Sequence, residues 1–318
     1  MLHPRSQFTH LKLAKMTIKC KVCGKVDFKE LYSNIVDPVT NEKFSVKRCM
    51  HCGVGQTFPF YTDLSKYYPV DYRDFLPLVK VILNFLYEQI ADGWSVAKGR
   101  KASNFLEVGC GPGFFLKFFL RKGLECYAIE RPTAQLLHLK KSFPNVNITA
   151  NLSEIGCSNF DIVLLYHVLE HLENPIDVIH QLDRIMNVGA IMIVAIPNFG
   201  CLQNRIFGRN WFHLDPPRHR FHFEESSFKT LMMNLGFELE KVYRFHLILD
   251  TFCFIESFVN LFAQGKNFIS KNLFSRKNYY SFVAILMVII LFAPALIVGI
   301  VGYMFNNSTV NTYVFRKV

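Results

Sequence analysis

From residue 104 to residue 245, short apolar runs alternate with stretches whose apolar positions repeat at helical spacing. Phe105–Val108 reads as a strand, and Phe114–Lys122 as a helix ending at Gly123. Glu125–Ile129 is the next strand, closing on Glu130, followed by a helix over Thr133–Ser142 and a short strand over Val146–Ala150. Phe160–Tyr166 is a fourth strand. Ile176–Met186 reads as a helix, with Pro175 at its start and Gly189 past its end, positions that suit the backbone preferences of those residues. Ala190–Ile196 gives a fifth strand that stops at Pro197-Asn198. A helix opening at Glu224 or Glu225 runs to Asn234, Phe237–Phe245 is a sixth strand, and Thr312–Arg316 a final one. Alternation on this scale predicts an α/β fold, a mostly parallel sheet with helices on both faces and ligands at the carboxyl ends of its strands.

The loop after the first of these strands carries the clearest chemistry. In Asn104-Phe-Leu-Glu-Val-Gly-Cys-Gly-Pro-Gly-Phe-Phe-Leu116, glycines stand at 109, 111 and 113. Without Cβ atoms, Gly109, Gly111 and Gly113 let the backbone pass close under a ligand. A dinucleotide fingerprint needs Gly or Ala at position 114, which is Phe. Glu107 would repel a pyrophosphate but suits the ammonium group of an amino acid, so the loop favours S-adenosylmethionine over NAD. Glu130 ends the second strand of this domain, 17 residues after Gly113, where a carboxylate can accept both hydroxyls of a ribose.

Upstream, Cys20-Lys-Val-Cys23-Gly and Cys49-Met-His-Cys52-Gly form two C-x2-C knuckles separated by 25 residues. Four thiolates so placed can close a tetrahedron around structural Zn2+, leaving no open position for water. The segment Lys29–Lys47 reads as two short strands around a turn at Asp37-Pro38, a core small enough to need a metal staple. His51 lies between two of the cysteines and is expected to be exposed. Nine cysteines in a chain whose first fifteen residues show no signal peptide point to a reducing compartment. No internal repeat is visible.

The run Asn159-Phe-Asp-Ile-Val-Leu-Leu-Tyr-His-Val-Leu-Glu-His-Leu-Glu-Asn-Pro175 resembles the class I S-adenosylmethionine-dependent methyltransferases, within them the subgroup with a Leu-Glu-His-Leu motif after the fourth strand. Gly189–Asn198, Asp215-Pro-Pro-Arg-His219, Phe223–Phe228 and Gly236-Phe237 also match, and some members carry cysteine knuckles leading into a Tyr-rich stretch. The resemblance covers residues 20 to about 245 and the last few. It implies a Rossmann-like seven-stranded sheet whose last strand is antiparallel. It also implies methionine contacts from Glu107–Gly113, ribose contacts from Glu130, and a cofactor bordered by Tyr166 and His167. Asn151 stands where such enzymes often place a polar adenine contact.

Methyl transfer to a hydroxyl needs an aligned acceptor and a base for its proton. His219 matches the subgroup's Pro-x-His position and is the first expectation for that base, with His171 and His213 as further candidates; His222 lies in the same segment. Arg218 and Arg220 flank His219 and are candidates for holding an acidic group of the acceptor.

The net charge of +11 suggests an anionic partner. Its basic residues are scattered without an aromatic-basic stripe, so nucleic acid is not expected. An apolar fraction of 51% and an uncharged stretch from 278 to 315 point to an anionic membrane surface. Ser281–Phe305 is long enough to cross a bilayer core of about 30 Å, yet a crossing would strand the tail expected to complete the sheet. Pro294 divides it into halves that suit a hairpin dipping in and returning. Phe245–Gln264 is expected to be an interfacial helix, with the basic residues that follow against anionic head groups. A buried helical pair in a soluble protein is the other reading.

The domain organisation expected is a zinc-knuckle module over 1–60, a connector and helix over 61–103, the methyltransferase core over 104–245, the apolar insertion over 246–308 and the last strand over 309–318. The function expected is O-methylation of a small or lipid-linked acceptor, such as a glycolipid, polyprenyl-linked sugar or quinone precursor. Its place is the cytoplasmic side of a membrane through a monotopic or re-entrant anchor, with a single-pass or a cytoplasmic protein as alternatives. Carbon methylation of a soluble nucleotide-sugar and a non-catalytic membrane scaffold are the competing functions.

Overall fold

The computed structural model describes residues 18–68, 77–94, 102–132, 134–156, 159–244, 246–263, 267–273 and 279–318. Three antiparallel strands open the chain: β1 (Phe28–Val36), β2 (Lys43–Cys49) and β3 (Gly55–Phe58). They match the two strands and turn read from the sequence. Helix α1 (Pro77–Gly93) follows; much of the expected Tyr-rich connector, residues 69–76, lies outside the described residues.

The alternating region gives β4 (Asn104–Val108), α2 (Phe114–Arg121), β5 (Glu125–Ile129), α3 (Ala134–Ser142), β6 (Asn147–Thr149), β7 (Phe160–Tyr166), α4 (Pro175–Ile185) and β8 (Met186–Pro197). It continues with α5 (Leu202–Phe207), β9 (Phe221–His222), α6 (Glu225–Asn234) and β10 (Phe237–Tyr243). The insertion contributes α7 (Leu247–Asn260), α8 (Phe268–Leu273) and α9 (Tyr279–Met304), and β11 (Val310–Lys317) ends the chain.

Seven strands form one sheet in the order β10-β11-β8-β7-β4-β5-β6. The five from β8 to β6 are parallel, and β11 runs antiparallel to both of its neighbours. Successive residues of the central strands enter opposite layers, as period-2 geometry requires. Leu106, Val163 and Val194 pack with Phe228 of α6 on one face. Phe105, Ile162 and Ile193 pack with Phe115, Phe119 and Trp94 on the other. Burial on both faces explains why these strands read as nearly unbroken apolar runs.

The boundary between α4 and β8 moved. Strand β8 starts at Met186, so the chain leaves α4 directly into the sheet. Gly189, expected just past the helix, lies inside β8 with φ 79°, where pairing with β7 slips from Phe160–Met186 to Ile162–Ile191. The fourth strand of the small sheet was not legible. β9 pairs with β3 through Gly55–His222 and Gln56–Phe221, fusing the cysteine module to the histidine segment.

The insertion differs from the sequence reading in two respects. Pro294 sits inside α9, a single helix of 26 residues, so the halves do not fold back as a hairpin. Nor is α7 an interfacial helix: Asp250, Cys253, Glu256 and Val259 on it are buried. The Asp250 carboxylate accepts from the Thr309 amide at 2.8 Å and the Ser308 hydroxyl at 2.8 Å. Glu256 accepts from the Ile269 and Ser270 amides at the start of α8. These carboxylates tie α7 to both ends of the returning chain, and α9 delivers β11 to the sheet. The expected basic loop lies largely outside the described residues.

Candidate active site

The glycine loop is shaped from below by side chains. At Gly109 (φ 70°) a Cβ would come within 2.6 Å of Val168, and at Gly113 (φ 79°) within 2.6 Å of Phe143. A Cβ on Gly111 would meet nothing within 4 Å, so this residue faces open space. The loop is pinned to the next strand by the Gly109 amide, which donates to the Ile129 carbonyl at 2.7 Å.

Glu130 lies across the loop. Its Oε2 accepts from the Gly111 amide at 2.7 Å and its Oε1 from the Arg131 amide at 2.9 Å, leaving lone pairs of each oxygen for further donors. Glu107 is 3% exposed, and its Oε2 has no hydrogen-bond partner among the described residues. Burial pushes its carboxyl well above the usual range, and the neighbouring Glu130 adds to the shift. A cationic ligand beside that unsatisfied oxygen would favour the charged form against the cost of burial. The glycine cradle, the orphaned Glu107 oxygen and the Glu130 carboxylate therefore fit an amino-acid nucleoside such as S-adenosylmethionine. Asn151 is exposed and caps a short turn after β6, where its amide donates to Glu154.

Tyr166 ends β7 inside an aromatic nest of Tyr87, Trp94 and Phe115, with ring centroids 5.3, 6.3 and 4.9 Å away. His167 follows with φ 54°, its amide donating to the Ala195 carbonyl at 2.9 Å. The expected histidines then converge from two segments. The rings of His167, His213 and His219 run nearly parallel, at 6.2 and 6.4 Å between successive centroids. His171 meets His219 edge to face at 4.5 Å. His219 donates from Nδ1 to the His213 carbonyl at 2.7 Å, and His171 from Nδ1 to the Arg218 carbonyl at 2.9 Å. Burial holds the pKa of both His213 and His219 below the usual range, so both rings are neutral. Nε2 of His213 is buried without a partner among the described residues.

Arg218 and Arg220, expected to hold an acceptor, are engaged in structure. Arg218 is 1% exposed and bridges Asp37 at 2.9 Å and Asp215 at 2.6 Å. Arg220 donates to the Tyr61 and Thr62 carbonyls. His222 donates to Thr57 Oγ1 at 2.9 Å, while that hydroxyl donates to the His219 carbonyl at 2.6 Å.

The four cysteines of the knuckles meet as the spacing predicts. Their sulfurs all lie within 4.8 Å of one another, with Cys20–Cys52 at 3.7 Å and Cys23–Cys49 at 3.5 Å. Sulfurs bound to one zinc at about 2.3 Å sit about 3.8 Å apart, so the cluster fits that ion. Hydrogen bonding from Cys52 lowers the Cys20 thiol to about 5, favouring a thiolate. His51 is exposed and outside the cluster. Gln56 was missed by the sequence reading. Its Nε2 donates to Cys20 Sγ at 2.9 Å and its Oε1 accepts from the Lys21 amide, an outer-shell role that no spacing reveals. Glu170, overlooked within the Leu-Glu-His motif, accepts from His167 Nδ1 at 3.2 Å.

The family model described as a methyltransferase domain matches residues 83–242. The chain is 30% identical over 118 residues to a tRNA U34 carboxymethyltransferase of Dichelobacter nodosus, covering 35% of this chain and 37% of that protein. It is 26% identical over 141 residues to a protein of Mycolicibacterium smegmatis named "Probable S-adenosylmethionine-dependent methyltransferase", covering 42% and 52%. It is 26% identical over 184 residues to a ubiquinone biosynthesis O-methyltransferase of Maricaulis maris, covering 52% and 72%. The chain thus spans roughly a third to a half of the length of the first relatives it matches.

Proposed function

We propose, from the premise that this chain belongs to the methyltransferase domain family, that it transfers a methyl group from S-adenosylmethionine to an oxygen of a small or lipid-linked acceptor at a membrane surface. The observation that carries the cofactor assignment is the orphaned, buried Glu107 oxygen beside a glycine loop that Glu130 braces. The cofactor when bound supplies a methyl group on a positively charged sulfur, which leaves as a neutral thioether as its carbon–sulfur bond breaks. Glu107 balances the charge of the amino-acid ammonium group, Glu130 accepts the ribose hydroxyls and Tyr166 walls the site. Asn151 stands at the adenine end. The acceptor oxygen presents to the wall of His167, His213 and His219. His213, whose Nε2 is unpartnered, takes its proton as the new carbon–oxygen bond forms. His171 and His219, tethered through Nδ1, hold that wall in place. The four cysteines hold structural zinc and keep β3, and through it β9, under the histidine segment.

The choice of a lipid-side acceptor is supported by α9. Tyr280–Met304 is long and apolar enough to cross a membrane, and 17% of its most apolar window is buried. Ties at both ends, through Ser308 to Asp250 of α7 and through Ser281 to the Asn272 carbonyl of α8, support α9 lying along the interface over its crossing the bilayer. The relative named as a ubiquinone biosynthesis O-methyltransferase supports oxygen as the methylated atom. Binding of tritiated S-adenosylmethionine should fall at least tenfold in Glu130→Ala; equal binding would remove the cofactor site. Lipid extracts, soluble extracts and tRNA, each incubated with enzyme and labelled cofactor, should gain a methyl mass in the lipid fraction. Labelling confined to tRNA would overturn the acceptor class.

A further inference from the structure

We infer that Glu170, His171 and His219 form a second metal site, one that takes a divalent transition-metal ion and is separate from the cysteine cluster. One donor atom from each of the three side chains lies within 4.8 Å of the others. Ligands bound tetrahedrally at about 2.1 Å stand about 3.4 Å apart, so modest rotation closes the set on an ion. Two segments distant in sequence are clamped together to make it. The Arg220 amide donates to the Glu170 carbonyl at 2.8 Å, and His171 Nδ1 donates to the Arg218 carbonyl at 2.9 Å.

The second observation concerns how the rings are held. Each imidazole donates its Nδ1 hydrogen to a main-chain carbonyl, of Arg218 for His171 and of His213 for His219. Metal-binding histidines are oriented by this kind of outer-shell bond, which makes Nε2 the ligand. The third observation is Glu170 itself. It is 1% exposed; Oε1 accepts from His167, while Oε2 has no partner among the described residues. A buried anionic oxygen left this way is expensive unless a cation meets it. The guanidinium of Arg218 does not serve, since it is engaged by Asp37 and Asp215.

Two imidazoles and one carboxylate select Zn2+, Fe2+, Co2+ or Mn2+ over ions that require all-oxygen shells. Three protein ligands also leave a position open, unlike four thiolates. Glu170 touches His167, so the open position adjoins the acceptor wall. There the ion would bind the acceptor oxygen and lower its pKa before His213 removes the proton. This role rests on the methyl-transfer reading; the binding site itself does not.

The test uses the full chain loaded with one equivalent of Zn2+, which the softer thiolates take first, and then titrated with Mn2+ under electron paramagnetic resonance. One further equivalent should bind. Its pulsed spectrum should show coupling to imidazole nitrogen, a readout on the unaltered protein that no folding failure can mimic. Glu170→Gln, which removes a ligand and leaves the His171–Arg218 clamp in place, should weaken Mn2+ binding by at least tenfold with melting temperature retained. Absence of a second equivalent, or a bound ion without nitrogen coupling, overturns the site. Tight nitrogen-coupled Mn2+ in a protein that transfers no methyl group would leave the site standing and refute the reaction.

Discussion

Two additions flank the same sheet, and they differ in how much apolar surface they leave uncovered. The amino-terminal module is attached by polar contacts that run into the candidate active site: Asp37 to Arg218, Thr57 to the His219 carbonyl, and β3 to β9. The carboxyl-terminal insertion is attached by buried carboxylates on α7 that bind the chain around α9, and α7 also meets the histidine segment, where Ser257 accepts from the Phe212 amide at 2.9 Å. It leaves Ile289 and Ile290 about two-thirds exposed, at 66% and 64%. Both additions are thus joined by directional contacts, and they differ in what they leave outside: the insertion alone presents a long apolar helix face to the surroundings.

The largest expected effect is at the cysteine cluster. Zinc binding contributes roughly 10–16 kcal/mol in isolated zinc-finger peptides. Part of this module is held by the core sheet, so Cys52→Ser should destabilise the protein by less, yet by more than any substitution on α9. Amide exchange should rise in β1–β3 and also in 211–223, because β9 is a strand of the same small sheet. If exchange rose in the module alone, the polar joint would not govern the histidine segment and the comparison would break.

Acidification tests both joints at once. Burial pushes His222, at the amino-terminal joint, and His246, at the root of the insertion, down to about 3. Each is neutral when folded, while its unfolded form takes a proton near pH 6.5. The unfolded state binds more protons below that value, so stability present above pH 6.5 is lost as pH falls toward 3. Each histidine contributes about 1.4 kcal/mol of loss per pH unit in this window. Denaturant midpoints measured from pH 7 to pH 4.5 should show that slope, reduced by one histidine's share in His222→Gln and in His246→Gln. An unchanged slope in either variant would show that its ring is already protonated in the folded protein.

The parts of this molecule that were legible are those whose signal is local. Strands buried on both faces advertise themselves as apolar runs, and the Glu107–Gly113 loop, Glu130 and the two knuckles are fixed by spacing. What was illegible arises from proximity in space. β9 is two residues long and has no period of its own. Gln56 and Glu170 acquire roles only because Cys20 and His219 arrive from elsewhere. Arg218 looked available because nothing near it in sequence announces Asp37. The hairpin expectation failed for a local reason. A proline inside a helix removes one hydrogen bond and bends the axis, but a reversal needs turn residues, and Pro294 is flanked by Ala293 and Ala295. Asp250 and Glu256 of α7 are inside the protein, bonded to the chain just before β11 and to the start of α8.

The smallest expected effect on folding is the most informative about α9. Ala284 and Ala295 on this helix are buried, whereas Phe282, Ile289, Ile290 and Ile297 are exposed. Substituting Ile289 and Ile290 by Glu touches neither α7 nor the sheet, so stability should move by about 0.5 kcal/mol or less per site. Burying one such side chain in an apolar medium is worth about 1.5–3 kcal/mol. Losing two should therefore reduce partition onto vesicles containing anionic lipid at least a hundredfold, with S-adenosylmethionine affinity unchanged. The competing account of the same face, a soluble dimer, makes a different prediction. Wild-type protein would then sediment as a dimer without detergent or lipid, the double substitution would make it a monomer, and vesicles would bind neither form. Both accounts need α9 to be a helix with an outward apolar face, so only the partner separates them. A face covered by another copy would lose its dimer at low protein concentration, and one covered by lipid would follow the vesicle concentration instead.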